Sequence, residues 1–219
     1  MSVISYPSSR LTSPFGLSAL MVGMFAVTGC SQPAENEAEV TPDAETTAPA
    51  TGETIRIASE GAYPPFNYTE ADGSLAGFDI DVINALCEEM QANCEIVAQD
   101  WEGIIPGLMA GKYDAIAAGM SVTPERLEQV DFTDPYFKNT MVWVAKNDGS
   151  FDANNVSGKN LGSQRATSMG QYLQDNFDGK DGNTANLYDT QENAYLDLAS
   201  GRVDAILAEK VQALSLIHI

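Results

Sequence analysis

Leu108-Met109-Ala110-Gly111-Lys112-Tyr113-Asp114-Ala115-Ile116 recurs as Leu198-Ala199-Ser200-Gly201-Arg202-Val203-Asp204-Ala205-Ile206, at a constant offset of 90 residues. Each copy reads as a helix ending at glycine, a turn through a cation, and entry into a strand. Any α/β protein can repeat such a turn. The sharper reading is two similar lobes with a cleft between them, the commonest place for a small-molecule site. Working outward, Thr54–Ala58 alternates like a strand, Gly61–Asp72 has loop composition, and Phe78, Val82, Ile83, Leu86 and Met90 mark one helix face. A second helix is expected from Trp101 or Gly103 to Ala110, a short buried strand over Tyr113–Ala118, and a helix opening at Pro124. Phe132–Tyr136 reads as loop and Met141–Ala145 as strand, with Val142–Lys146 the first crossing between lobes. Strands alternating with helices make this an α/β sheet protein.

The chain of 219 residues carries 11 Lys and Arg against 31 Asp and Glu, a net charge of −20. No basic face for nucleic-acid phosphates can be built from that. With 44% apolar and 8% aromatic residues there is enough to bury a core, which excludes global disorder. Residues 1–30 read as an export signal: Arg10 is the one charge, Phe15–Val27 is apolar, and Val27-Thr28-Gly29-Cys30 resembles a bacterial lipobox. On that reading Cys30 is lipidated and anchors the protein outside the cytoplasmic membrane; an ordinary signal peptide with an incidental cysteine is the alternative. Residues 31–53 lack aromatic and basic side chains and read as a disordered acidic tether.

Cys87 and Cys94 fit an oxidising compartment. A straight helix would hold them roughly 10 Å apart, so a bridge requires the helix to end between them, with Asn93 a reasonable breaker. Two buried thiols are the other reading. In Ser121-Val122-Thr123-Pro124-Glu125-Arg126, Thr123 is an N-cap and Pro124 the first helical residue. Arg126 then sits in a first turn, where the helix dipole disfavours a cation unless an anion lies in front of it. A carboxylate gripped by the guanidinium, by free N–H groups and by the Ser121 hydroxyl satisfies that condition. A surface pairing of Arg126 with Glu125, Glu128 or Asp131 satisfies it equally well. His218 is the sole histidine, and neither a His or Cys metal cluster, a phosphate-cradling glycine loop nor a nucleophile elbow is present in the sequence.

Together, Ala62-Tyr63-Pro64-Pro65-Phe66, Gly77-Phe78-Asp79-Ile80-Asp81, Trp101-Glu102-Gly103-Ile104-Ile105-Pro106-Gly107-Leu108, Gly119–Arg126 and Phe132-Thr133-Asp134-Pro135-Tyr136 resemble the polar amino-acid binding proteins of bacterial ABC importers. The resemblance runs from about Ile55 to Val211 and is nearest to the lysine/arginine/ornithine, histidine and arginine binders. It implies a two-lobed periplasmic-binding-protein fold of type II, with a hinge and an interlobe cleft that closes on the ligand. Lobe 1 then covers 54–145 and lobe 2 covers 146–213. The Cys87–Cys94 spacing also resembles the disulfide of that subgroup.

Carried over by position, the resemblance implies that Arg126 binds the ligand α-carboxylate, aided by Ser121 and the backbone N–H groups of Ser121 and Thr167. The α-amino group falls to the Gly119 carbonyl, the Ser121 hydroxyl and Glu209. Tyr63 and Trp101 sandwich the ligand side chain, and Glu60 meets its distal charge. Ala118, where some relatives carry a hydroxyl residue, leans toward arginine. The implied partners are a basic L-amino acid and ABC permease subunits, with a lipid anchor, no nucleic acid and no cofactor, in a monomer that is not an enzyme. The same fold also serves dehydratases, sensor domains of signalling kinases and lobes of murein transglycosylases. Because the family continues past Val211 and crosses back to lobe 1, lobe 2 is expected to be incomplete. Leu214–Ile219 resembles translated sequencing adapter.

Overall fold

The computed structural model describes residues 4–5 and 54–216. The readings of Cys30, of the tether at 31–53 and of all the export signal except Ile4–Ser5 lie outside the described residues, as do residues 217–219.

The first sheet has the order β6-β2-β7-β1-β8. Its strands are β1 (Ile4–Ser5), β2 (Ile55–Ser59), β6 (Cys94–Ala98), β7 (Ala115–Ile116) and β8 (Asp131–Phe132). Beside it lie a small antiparallel sheet, β3 (Ala62–Tyr63), β4 (Asn67–Thr69) and β5 (Leu75–Ala76), and helices α1 (Phe78–Glu89), α2 (Trp101–Met109) and α3 (Pro124–Leu127). The second sheet has the order β11-β10-β12-β9, from β9 (Met141–Ala145), β10 (Asn160–Gln164), β11 (Thr184–Tyr188) and β12 (Ala205–Glu209). Helices α4 (Ser168–Asn176), α5 (Gln191–Ser200) and α6 (Lys210–Leu216) accompany it. Each sheet with its helices is called a lobe below.

Both sheets are parallel at their centres, β2 with β6 and β7, β10 with β11 and β12. A parallel sheet needs cover on both faces, and successive strand residues supply it by pointing in opposite directions. Ala58 and Ile116 pack with Ile104, Leu108 and Met120 on one face, while Ile57 and Ala115 pack with Ile80 and Ile83 on the other. In the second lobe Leu161, Ala205 and Leu207 meet Leu173 of α4, and Ile206 meets Ala194 and Leu198 of α5.

The repeated nonapeptide does the same work twice. Gly111 and Gly201 hold φ of 70° and 79°, the left-handed turn that glycine alone enters without strain. The Asp114 carboxylate then accepts from the Arg56 backbone N–H at 2.8 Å, and the Asp204 carboxylate from that of Asn160 at 2.7 Å. Each aspartate thus ties its turn to the start of the neighbouring parallel strand. Gly107 has a different reason: a Cβ there would lie 2.2 Å from the Tyr113 hydroxyl, which donates to the Ile104 carbonyl of α2.

Four expectations change. Met141–Ala145 is a strand but pairs antiparallel with β12 in the second sheet, so the crossing precedes Met141 and does not fall at Val142–Lys146. The boundary drawn after residue 145 moves upstream with it. The strand expected over Tyr113–Ala118 shrinks to Ala115–Ile116, because the ladder ends where the chain turns away at Gly119, φ 60°. Asp131–Phe132, half inside the expected loop, pairs with Ile4–Ser5 from the stretch read as export signal. Cys87 and Cys94 are bridged with Cα atoms 6.2 Å apart. The helix break between them falls at Gln91, φ 52°, whereas Asn93 immediately precedes β6, its carbonyl accepting from Ile55 and its amide donating to Thr54.

Candidate functional site

Residues at the C-terminal ends of the parallel strands converge between the two sheets. Glu60 follows β2, Trp101 follows β6, Gly119 follows β7, and Gln164 and Glu209 end β10 and β12. That is where open α/β sheets leave a crevice, because the strands end and the chain turns into loops and helix N-termini. The cavity between the lobes is lined by Glu60, Tyr63, Trp101, Gly119, Ser121, Thr167 and Glu209 from the expected set, joined by Ala118, Gln164, Ser168 and Met169. Its volume is about 20 Å³.

Arg126 stands at the wall and not in the cavity itself. Thr123 caps α3 by accepting from the Arg126 backbone N–H, which fixes the first turn as expected. The guanidinium folds back under the Trp101 ring, 5.3 Å from its centroid, and donates to the carbonyls of Ser121 at 2.7 Å and Ala166 at 2.9 Å. It forms none of the ion pairs found among the described residues, so the surface pairing with Glu125, Glu128 or Asp131 is not made. Burial pulls its pKa down to about 10.

The carboxylates sit at separate places in the cavity. Glu60 is buried and accepts a 2.6 Å hydrogen bond from the Gln164 amide. Burial lifts its pKa to about 7; the Gln164 bond opposes this and the charge of Asp100 adds to it. Glu209, also buried, accepts from Asn139 at 2.8 Å, and burial raises its pKa. Burial, with Glu209 close by, pushes the Tyr63 hydroxyl well above its ordinary range. Thr167 caps α4 through Gly170 and donates its hydroxyl to the Gln164 carbonyl, which sets the N-terminus of α4 at the cavity. An anion is favoured there by the dipole and the free N–H groups.

Ser168 and Met169 at the start of α4 escaped the sequence reading, and so did three residues outside that helix. Gln164 lines the cavity, but its only sequence signal is its place at the end of a parallel strand. Asn139 reaches Glu209 from the crossing segment and carries no motif at all. Asp79, in a quoted motif but without a role, is fully buried and accepts from Tyr136 at 2.6 Å and Asn67 at 2.8 Å. It clamps the crossing segment onto the first lobe. Among the described residues no group of three or more His, Cys, Asp or Glu is placed to hold a metal, and no helix is long and apolar enough to cross a membrane.

Comparison with known proteins gives one consistent result. The chain is 38% identical over 157 residues to the ABC transporter arginine-binding protein 1 of Escherichia coli K12, covering 72% of this chain and 63% of that protein. It is 40% identical over 159 residues to the L-arginine-binding protein of Pseudomonas aeruginosa, covering 72% of this chain and 61% of that one. The chain therefore spans under two thirds of the length of these relatives. Among solved structures, an ancestral arginine-binding protein bound to arginine superposes with a TM-score of 0.70 at 35% identity, covering 75% of this chain and 74% of that one. The profile of the bacterial extracellular solute-binding proteins, family 3, matches residues 55–212. Over nearly all of its described length, then, the chain belongs to that family, the bacterial extracellular solute-binding proteins of family 3.

Proposed function

We propose that this protein captures a basic L-amino acid, arginine foremost and lysine, ornithine or histidine after it, between its lobes and delivers it to an ABC permease outside the cytoplasmic membrane. The observation that carries the reading is the charge pattern of the cleft: a buried guanidinium with no carboxylate partner, and two buried carboxylates at Glu60 and Glu209. A basic amino acid is the complement of that pattern, one anionic and two cationic groups on one small molecule. Arg126, with Ser121 and the N-terminus of α4 at Thr167, takes the α-carboxylate. Glu209, Ser121 and the Gly119 carbonyl take the α-amino group. The rings of Tyr63 and Trp101 flank the side chain, and Glu60 takes its distal charge.

Ligand stabilises the shut arrangement only by its differential affinity, so contacts from both lobes are required, and the assigned residues come from both. The relatives that are named arginine-binding support arginine over the smaller amines. Lipidation at Cys30 and a monomeric state belong to the same proposal. The reading is tested by thermal shift of the full chain against arginine, lysine, ornithine, histidine, glutamine and glutamate, together with a search for ligand turnover. A response confined to glutamine or glutamate overturns the basic specificity. Conversion of the ligand moves the protein to the dehydratase class.

A further inference from the structure

One tripeptide of the second lobe, Gln164-Arg165-Ala166, reaches four residues of the first. The Gln164 amide donates to Glu60 at 2.6 Å, while its backbone N–H is held by Gln191 at 2.9 Å. One terminal nitrogen of Arg165 lies 3.8 Å from Glu102 and 3.0 Å from Asp189 of its own lobe, and the other terminal nitrogen donates to the Leu187 carbonyl at 3.1 Å. The Ala166 carbonyl accepts from both Trp101 at 3.0 Å and Arg126 at 2.9 Å. To present that carbonyl Ala166 takes φ of 53°, a conformation non-glycine residues avoid and one that marks functional positions when the surroundings enforce it.

The chemistry of these contacts matches the two ends of the ligand proposed above. An N–H donor meets Glu60, where the ligand's distal cation belongs, and an oxygen meets Arg126, where its α-carboxylate belongs. With these contacts made, the 20 Å³ of space left holds about one water and no amino acid.

We infer that Gln164-Arg165-Ala166 is an internal competitor for the cleft, standing in for the ligand at Glu60 and Arg126 and drawing the lobes together, so that an amino acid binds by displacing it. The inference rests on the reading of the cleft as an amino-acid site. It has a definite thermodynamic form: the shut protein is populated without ligand, and the apparent affinity for every displacing ligand falls by the same factor, one plus the closing constant. The tripeptide therefore sets the affinity scale and leaves the preference among ligands unchanged. If the contacts instead persisted beside the ligand, removing them would weaken binding, so the two cases differ in sign.

The test uses Gln164→Ala and the near-isosteric Gln164→Glu, which sets a second carboxylate against Glu60. The interlobe distance is read by electron–electron resonance between spin labels on the exposed Lys112 and Lys180, and arginine and lysine affinities are read by calorimetry. Loss of a hydrogen bond to a charged group should lower the closing constant of the protein free of amino acid, read from the shut-to-open ratio, by about tenfold or more. Arginine and lysine should both then bind more tightly, with their ratio unchanged and Gln164→Glu the more open variant. An unchanged shut population, or weaker arginine binding in Gln164→Ala, overturns the inference. Failure of the wild-type protein to bind any amino acid overturns the proposed function instead, and the distance measurement on the free protein still decides whether the tripeptide holds the lobes together.

Discussion

Replacing Glu60 by Gln isolates the distal end of the cleft. Glu60 is only 9% exposed, and burial raises its pKa from 4.5 to about 7, with Asp100 adding to the rise and the Gln164 hydrogen bond opposing it. Keeping it ionised at neutral pH costs about 3 kcal/mol, from about 1.4 kcal/mol for each step of pKa. Because the folded pKa lies above the unfolded one, protonated Glu60 contributes stability that is complete below about pH 4.5 and lost as the pH rises through about 7. A guanidinium reverses the balance by pairing with the carboxylate. Arginine binding near pH 6 should therefore expel close to one proton. Its affinity should climb toward tenfold per pH unit up to about pH 7 and level off above, where Glu60 is already ionised. Calorimetry in buffers of different ionisation heat counts that proton. In Glu60→Gln the proton release and the slope disappear, and arginine weakens by roughly 10- to 150-fold, the worth of a charge-assisted hydrogen bond. A variant that keeps both the slope and the affinity refutes the assignment of Glu60.

Substitutions at three further places probe separate parts of the account. Arg126→Ala should abolish binding of every amino acid, cationic or neutral, while Arg126→Lys should restore only part of it because an ammonium cannot grip a carboxylate bidentately; both are read by calorimetry. Replacing Cys87 and Cys94 with Ser should lower unfolding stability by roughly 2 to 3 kcal/mol in a denaturant titration and leave arginine affinity unchanged, since the bridge joins α1 to β6 and does not line the cavity. Gly107→Ala places a methyl 2.2 Å from the Tyr113 hydroxyl and should cost about 1 to 3 kcal/mol, with the midpoint shifted and the binding constant of the folded fraction retained.

What was legible in the sequence was local. Gly111 and Gly201 sit at helix ends where only the left-handed turn fits, and Thr123-Pro124 carries its own start signal, so both features fold as their neighbours dictate. The strand at Met141–Ala145 was legible from its apolar run, but its membership of the second sheet depends on β12, whose paired residues lie 60 to 68 positions away. The helix end between the cysteines was required by the bridge. Its position was not, because Gln91 accepted a conformation that composition assigned to Asn93. In the cleft, Arg126 stood out by its place in a first helical turn and Glu60 and Glu209 only through the resemblance, whereas Gln164 and Asn139 act through partners that only the meeting of the lobes supplies. Asp79 belongs to the same class: a carboxylate in a quoted motif whose use, clamping Tyr136 and Asn67, is invisible until the crossing segment is in place.

The central claim is that the cleft is a site for a basic L-amino acid. Titrating the full chain with arginine by calorimetry, with glutamine and glutamate as neutral and acidic comparisons, tests it most directly. Saturable one-to-one binding of arginine, far tighter than either comparison, is the predicted result. Binding of glutamine or glutamate in preference to arginine would contradict it.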